Sequence, residues 1–190
     1  MPDTSSHLSA DQGNLPVDER ADFLDRRGVE ERGPAQRAWE VAGAVPDPEV
    51  PVLTIADLGV LREVTLADDG TVDVTITPTY SGCPAMDTIR ADVEQALREA
   101  GFGGVRVRTV LAPAWTTDWI TDRGRSALEE YGIAPPGPRA NGPVRLALSV
   151  RCPQCGSPNT RELSRFASTA CKSLWQCRDC SEPFDHFKTL

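Results

Sequence analysis

Two C-x-x-C pairs, Cys152-Pro153-Gln154-Cys155 and Cys177-Arg178-Asp179-Cys180, constrain the fold of this chain more than any other feature. Twenty-one residues separate them, a spacing that lets two knuckles converge on one tetrahedral ion in the manner of a zinc ribbon. The surrounding segment is too short to bury a substantial core, so a structural metal would supply the missing folding energy. Zinc suits a closed set of four thiolates with no evident redox task; a rubredoxin-like iron site is the alternative. No basic region followed by an apolar one opens the chain, and no run of about 18 apolar residues occurs. The expectation is therefore a cytoplasmic protein without a membrane span, a setting in which paired cysteines favour metal ligation over disulfides.

The other organising stretch is Thr77-Pro78-Thr79-Tyr80-Ser81-Gly82-Cys83-Pro84-Ala85-Met86-Asp87. Before it, Val72, Val74 and Ile76 alternate as on a strand with one buried face. After it, Ile89, Val93, Ala96, Leu97 and Ala100 share one side of a helix, with Arg90, Glu94 and Arg98 outside. Pro84 fits the first helical position, which puts Cys83 at or next to the N-cap. Two readings follow. Unpaired N–H groups and the helix dipole would favour a Cys83 thiolate, or the cysteine simply fills the strand–helix junction.

In chain order, residues 1–35 are polar and poor in strand formers, and read as a disordered or weakly ordered arm that includes a solvated His7. Residues 36–45 predict a helix presenting Ala38, Trp39, Ala42 and Val45, with Trp39 as a core anchor, stopped by Pro46-Asp47-Pro48. Asp57 precedes Leu58-Gly59 and reads as a cap or Asx-turn, or as a carboxylate held against packed backbone. Strands are expected at 61–66 and 71–77 around the hairpin turn Ala67-Asp68-Asp69-Gly70, and a third near Val105–Val110.

Trp115 and Trp119 lie in a loop, as core plugs or a partner-binding surface, before a helix that begins at Thr121-Asp122. The whole is an α/β (α+β) fold, a small helix–hairpin–helix–strand domain over residues 36–133 with helices on one sheet face. Residues 134–143, with prolines and glycines, read as an exposed linker, and 144–190 as a zinc-ribbon-like domain opened by a strand at 144–150. Cys171 fits neither knuckle; it is a buried ribbon thiol or a second reactive one. His186 is left outside the metal set because four cysteines complete the coordination.

A net charge of −8 and a pI near 4.8 argue against nucleic acid as partner. With only two histidines, both outside the α/β region, and no Glu-x-x-His pair, the chain is not read as a di-iron oxygenase. A thiol hydrolase built on Cys83 lacks a histidine nearby in sequence.

Residues 39–110, with Asp47-Pro48-Glu49, Asp57-Leu58-Gly59 and Ser81-Gly82-Cys83-Pro84, resemble the iron-sulphur carrier assembly domain family that includes SufT-like proteins. Cys152-Pro153-x-Cys155-Gly156-Ser157, Ser168-Thr169-Ala170-Cys171-Lys172, Cys177-x-x-Cys180 and Glu182-Pro183-Phe184 extend the similarity to the PaaD family over residues 37–190. PaaD proteins are accessories of the phenylacetyl-CoA ring-epoxidising monooxygenase. The resemblance implies cluster assembly or delivery to the iron-sulphur reductase component, with no independent catalysis. Cys83 would be the cluster-handling thiol and Asp57 a carboxylate near it. The alternative is a non-catalytic scaffold that gathers oxygenase and reductase subunits through the ribbon. One cysteine in the first domain is too few for a four-thiolate cluster, so the resemblance implies a transient cluster with external ligands, a cluster bridging a homodimer, or help from Cys171.

Overall fold

The computed structural model describes residues 33–137 and 150–189. His7, most of the expected arm, residues 138–143 of the expected linker and nearly all of the expected strand at 144–150 lie outside the described residues. Helix α1 (Pro34–Gly43) has a proline in its first turn, where the missing N–H costs nothing. Ala38 and Ala42, four apart, form its buried face. Trp39, expected as a core anchor, is 37% exposed. It follows Ala38 by one residue, about 100° around the helix, and is carried off the buried stripe.

Strands β1 (Leu61–Leu66) and β2 (Thr71–Ile76) form the expected antiparallel hairpin. Its turn closes through Gly70 N donating to Ala67 O at 2.9 Å, and Asp69 Oδ1 accepts from Thr71 N at 2.9 Å. Helix α2 (Met86–Glu99) then crosses over to β3 (Gly104–Thr109), which runs parallel to β2 with Val72 opposite Val105 and Val74 opposite Val107. The three-stranded sheet has the order β1-β2-β3. Val72, Val74 and Ile76 on its inner face meet Ile89, Val93 and Leu97 of α2 in a core closed to water. The outer face is polar, with Arg106 2.8 Å from Asp73.

Helix α3 (Asp122–Glu130) is capped by Thr121, whose hydroxyl accepts from Gly124 N at 3.0 Å. The loop before it sends Trp115 into the core as a plug, its Nε1 donating to Leu58 O at 2.9 Å. Beyond α3 comes a second sheet of order β4-β7-β6-β5, formed by β4 (Ile133–Ala134), β5 (Thr160–Ser164), β6 (Lys172–Cys177) and β7 (Pro183–Phe187).

The start of the expected linker is packed. Ile133 and Ala134 are buried and pair in parallel with Asp185 and His186 of β7. The two sheets also share a core, because Cys171 and Phe187 from the cysteine-rich half sit in the same apolar cluster as β2 and α2. Both belong to one compact unit. Among the described residues no helix is long and apolar enough to cross a membrane.

Gly59 adopts φ +69°, and a Cβ there would lie 2.5 Å from the Trp119 Cβ and 2.7 Å from the Trp119 carbonyl oxygen. Gly59→Ala is expected to cost about 1–3 kcal/mol through left-handed strain and overpacking together, read as a lowered urea midpoint. Gly70→Ala, at φ +81° with nothing within 4 Å, carries the strain alone and should cost less.

Candidate functional site

The first site grows from the β2–α2 connection. The chain leaves the sheet after Ile76, passes through a turn in which Cys83 N donates to Tyr80 O at 3.2 Å, and starts its helix at Met86. The half-buried Cys83 faces a small cavity shared with Asp47, Glu49, Thr79, Cys171 and Phe187. Besides the β2–α2 connection and the loop that carries Leu58 and Val60, two further parts of the chain build that wall. Asp47 and Glu49 come from the turn after α1, where Asp47 Oδ1 accepts from Glu49 N at 2.9 Å and Val50 N at 2.8 Å. Cys171 and Phe187 come from the ends of β6 and β7, where Lys188 N donates to Cys171 O at 3.0 Å.

Of the two readings of Cys83, the electrostatics run against the favoured thiolate. Burial, followed by the Glu49 and Asp47 carboxylates and Cys171, raises its pKa to about 11. The helix begins three residues further on, so one backbone N–H, that of Ala85, is what opposes the rise. Burial also raises Cys171, against a hydrogen bond with the Thr169 hydroxyl at 3.0 Å. Asp47 and Glu49 are themselves pushed up, each chiefly by burial, and the buried Lys172 ammonium pulls both back. Lys172 is 3.1 Å from Asp185 on β7.

Asp57, expected beside Cys83, is not among the residues lining this cavity. Its carboxylate is committed elsewhere. Oδ2 accepts from Thr54 N at 3.0 Å, from the Thr54 hydroxyl at 2.7 Å and from Arg123, while Oδ1 accepts from the Thr121 hydroxyl at 3.2 Å. Asp57 thus ties the loop before β1 to the N-terminus of α3. Burial acts to raise its pKa, but Thr54, Arg123 and Thr121 outweigh it and hold the carboxyl below its ordinary value. The carboxylates that do face the cavity, Asp47 and Glu49, were readable in the sequence as a turn motif and not as site residues.

The second site is the cysteine cluster. Cys152, Cys155, Cys177 and Cys180 bring their sulphurs within 4.8 Å of one another. Cys152 Sγ is 3.7 Å from Cys180 Sγ, and Cys155 Sγ is 3.6 Å from Cys177 Sγ. Four sulphurs about 2.3 Å from a central zinc stand about 3.8 Å apart, so the donor set fits a tetrahedral ion and is too open for disulfides. Backbone N–H groups of Cys180 and Asp179 lower the Cys177 pKa to about 7. At Cys155 the Ser157 backbone N–H is outweighed by the neighbouring cluster thiols, which push its pKa up to about 12, and Cys180 is raised as well. His186 stands apart from the cluster, with Nδ1 3.3 Å from the Ser173 hydroxyl and its ring edge-on to Trp175 at 6.0 Å. Burial lowers its pKa to about 4 and keeps it neutral.

The fold and site thus join a thiol at a strand–helix junction of a small α/β domain to a four-cysteine ribbon. Residues 36–111 match the family described as iron-sulfur cluster assembly protein, and residues 137–188 match the PaaD zinc beta ribbon domain. The chain belongs to the PaaD family. It is 48% identical over 152 residues to an Escherichia coli (strain K12) protein named as a component of 1,2-phenylacetyl-CoA epoxidase, covering 80% of this chain and 91% of that protein. A Porphyromonas gingivalis protein named as an Fe-S protein maturation auxiliary factor is 38% identical over 90 residues, 47% of this chain and 82% of its own. A solved structure, a domain of unknown function (DUF59) from Bacillus anthracis, aligns at 27% identity and a TM-score of 0.46, covering 50% of this chain and 90% of its own.

Because its folded pKa is depressed, Asp57 contributes stability that is present above the ordinary carboxylate value of 3.8 and is lost as pH falls through the folded value. Asp57→Asn is therefore expected to lower stability at pH 7 by about 1.5–3 kcal/mol. It should also flatten the loss of stability below about pH 4. Urea titrations of both proteins across that range check it.

Proposed function

We propose that this chain is an auxiliary maturation factor of the phenylacetyl-CoA epoxidase system, handling iron-sulphur cargo through Cys83 and Cys171 for the reductase component and taking no part in ring oxidation. The observation that carries this reading is the arrival of Cys171, from the cysteine-rich half, in the cavity that holds Cys83. Two thiols are half the complement of a four-cysteine cluster. A cluster held by them keeps open positions for thiolates of the recipient or of a second copy of the chain, which is what transfer by ligand exchange requires. Asp47 and Glu49 add negative charge beside the thiols and favour cationic cargo. Asp57 serves this site indirectly, by fixing the backbone of the loop that carries Leu58 and Val60 into the cavity wall.

The ribbon holds zinc through Cys152, Cys155, Cys177 and Cys180. Bound there, the ion supplies folding energy and no chemistry, since four protein thiolates leave no open position. Elemental analysis after removal of loosely held metal is expected to give one zinc per chain, and C180S should lose it. A zinc-free protein with an unchanged ribbon would reject the assignment.

The functional test compares wild type, C83S and C171S at equal folded concentration. Cluster content of the purified reductase and phenylacetyl-CoA turnover by the reassembled components are both measured. Each variant is expected to keep its zinc and to lower cluster content by about tenfold or more, at least the loss that even an outer-shell change around a metal site causes. Normal cluster content and turnover with both variants would instead favour a scaffold that gathers oxygenase and reductase subunits through the ribbon.

A further inference from the structure

We infer that metal binding by the four-cysteine cluster closes the cavity around Cys83, so that the ribbon is a lock on the thiol site and not a separate module. Calling that site a cargo site rests on the function proposed above; the lock itself rests on strand connectivity. β6 begins at Lys172, directly after the cavity residue Cys171, and ends on the cluster residue Cys177. β7 begins three residues after Cys180 and ends on the cavity residue Phe187. Each strand therefore carries cavity wall at one end and metal ligand at or near the other. The antiparallel register joins like to like, with Lys172 opposite Phe187 at the cavity end and Gln176 opposite Pro183 at the cluster end.

At the cluster end, apolar support for these strands is thin without a metal. The ribbon's own buried cluster consists of Ala134, Cys152, Cys177 and Phe184, with Val150 and Trp175 partly buried against it, and two of the four buried residues are cluster cysteines. A small sheet with so little apolar burial is marginal in water, and ligation couples its folding to the ion. The assembly domain differs. Of the ribbon's described residues only Cys171 and Phe187 enter its core cluster, and the packing of Val72, Val74 and Ile76 on Ile89, Val93 and Leu97 is made within the domain itself. Loss of the metal should thus release Cys171 and Phe187 from the cavity wall and leave the sheet and α2 in place.

The test labels the full-length protein with iodoacetamide at fixed pH and follows Cys83 by peptide mass spectrometry, in zinc-loaded protein, in chelator-treated protein and in C180S. Amide exchange across α2 is recorded in parallel. Cys83 is expected to label at least tenfold faster once the metal is gone, with α2 still protected. Phe187→Ala should speed Cys83 labelling while zinc content stays at one per chain, since it breaches the wall without touching a ligand. Equal Cys83 labelling with and without metal would overturn the lock. So would loss of α2 protection alongside faster labelling, because the ribbon would then support the whole domain and not its cavity. Faster labelling in a protein that delivers no cluster would sink the cargo reading and leave the lock standing.

Discussion

Phe187 is the last residue of the second sheet, and its ring is enclosed by the first domain. Trp115 packs against it at 6.1 Å and is itself fixed by the bond from its indole N–H to Leu58 O. Burying one aromatic ring contributes roughly 2–3 kcal/mol, a modest amount in a domain's balance. Its position gives it greater consequence. Phe187 pairs with Lys172, the neighbour of Cys171, so seating the ring also seats the second thiol of the cavity. The parallel pairing of Ile133–Ala134 with Asp185–His186 holds the same strand from its other side. The cysteine-rich half is thereby anchored at a seam that includes the cavity wall.

The two cysteine sites differ in how many backbone N–H groups reach a sulphur. In the ribbon, backbone N–H groups of the knuckle point at Cys177 and stabilise its thiolate before any ion is bound. At Cys83, burial and two carboxylates act the other way, and a single N–H is too little to offset them. A helix N-terminus affects a thiol strongly when the sulphur lies within its first turn. The turn through Pro84 and Ala85 delays helix α2 to Met86, which moves Cys83 out of that zone.

Much of the fold was legible because local rules agreed with one another. Alternation at Val72, Val74 and Ile76, the Asp69-Gly70 turn and the stripe Ile89, Val93 and Leu97 each specify an element, and the elements appear where those patterns lie. The cysteine cluster was legible from spacing alone. Three features were not. Trp39 looked like core because tryptophan is large and apolar, yet the helix phase is set by Ala38 and Ala42. Asp57 reads as a cap or Asx-turn, and as a carboxylate near Cys83 only through the family resemblance. Its bonds to Thr54 are local, but its partners Thr121 and Arg123 lie more than sixty residues away in sequence. The meeting of Cys171 with Cys83 depends on how two sheets dock, and no periodicity within either segment encodes that.

The protonation of the cavity groups also bears on what the cavity can accept. Burial, and after it Glu49 and Asp47, raise the thiol pKa values, and the same carboxylate charges attract a cation that approaches. A soft cation can displace the thiol proton by supplying the positive charge that the carboxylates and sulphurs lack, whereas an anion meets repulsion and gains nothing from burial. Lys172 moderates this balance. All three of Asp47, Glu49 and Cys171 are raised chiefly by burial, and the Lys172 ammonium, 3.1 Å from Asp185, acts against that rise in each. Because Lys172 sits on β6, the charge that tunes the cavity reaches it by the same strand that brings the second thiol. Removing the ribbon from its seat would therefore take a charge and a thiol from the cavity together.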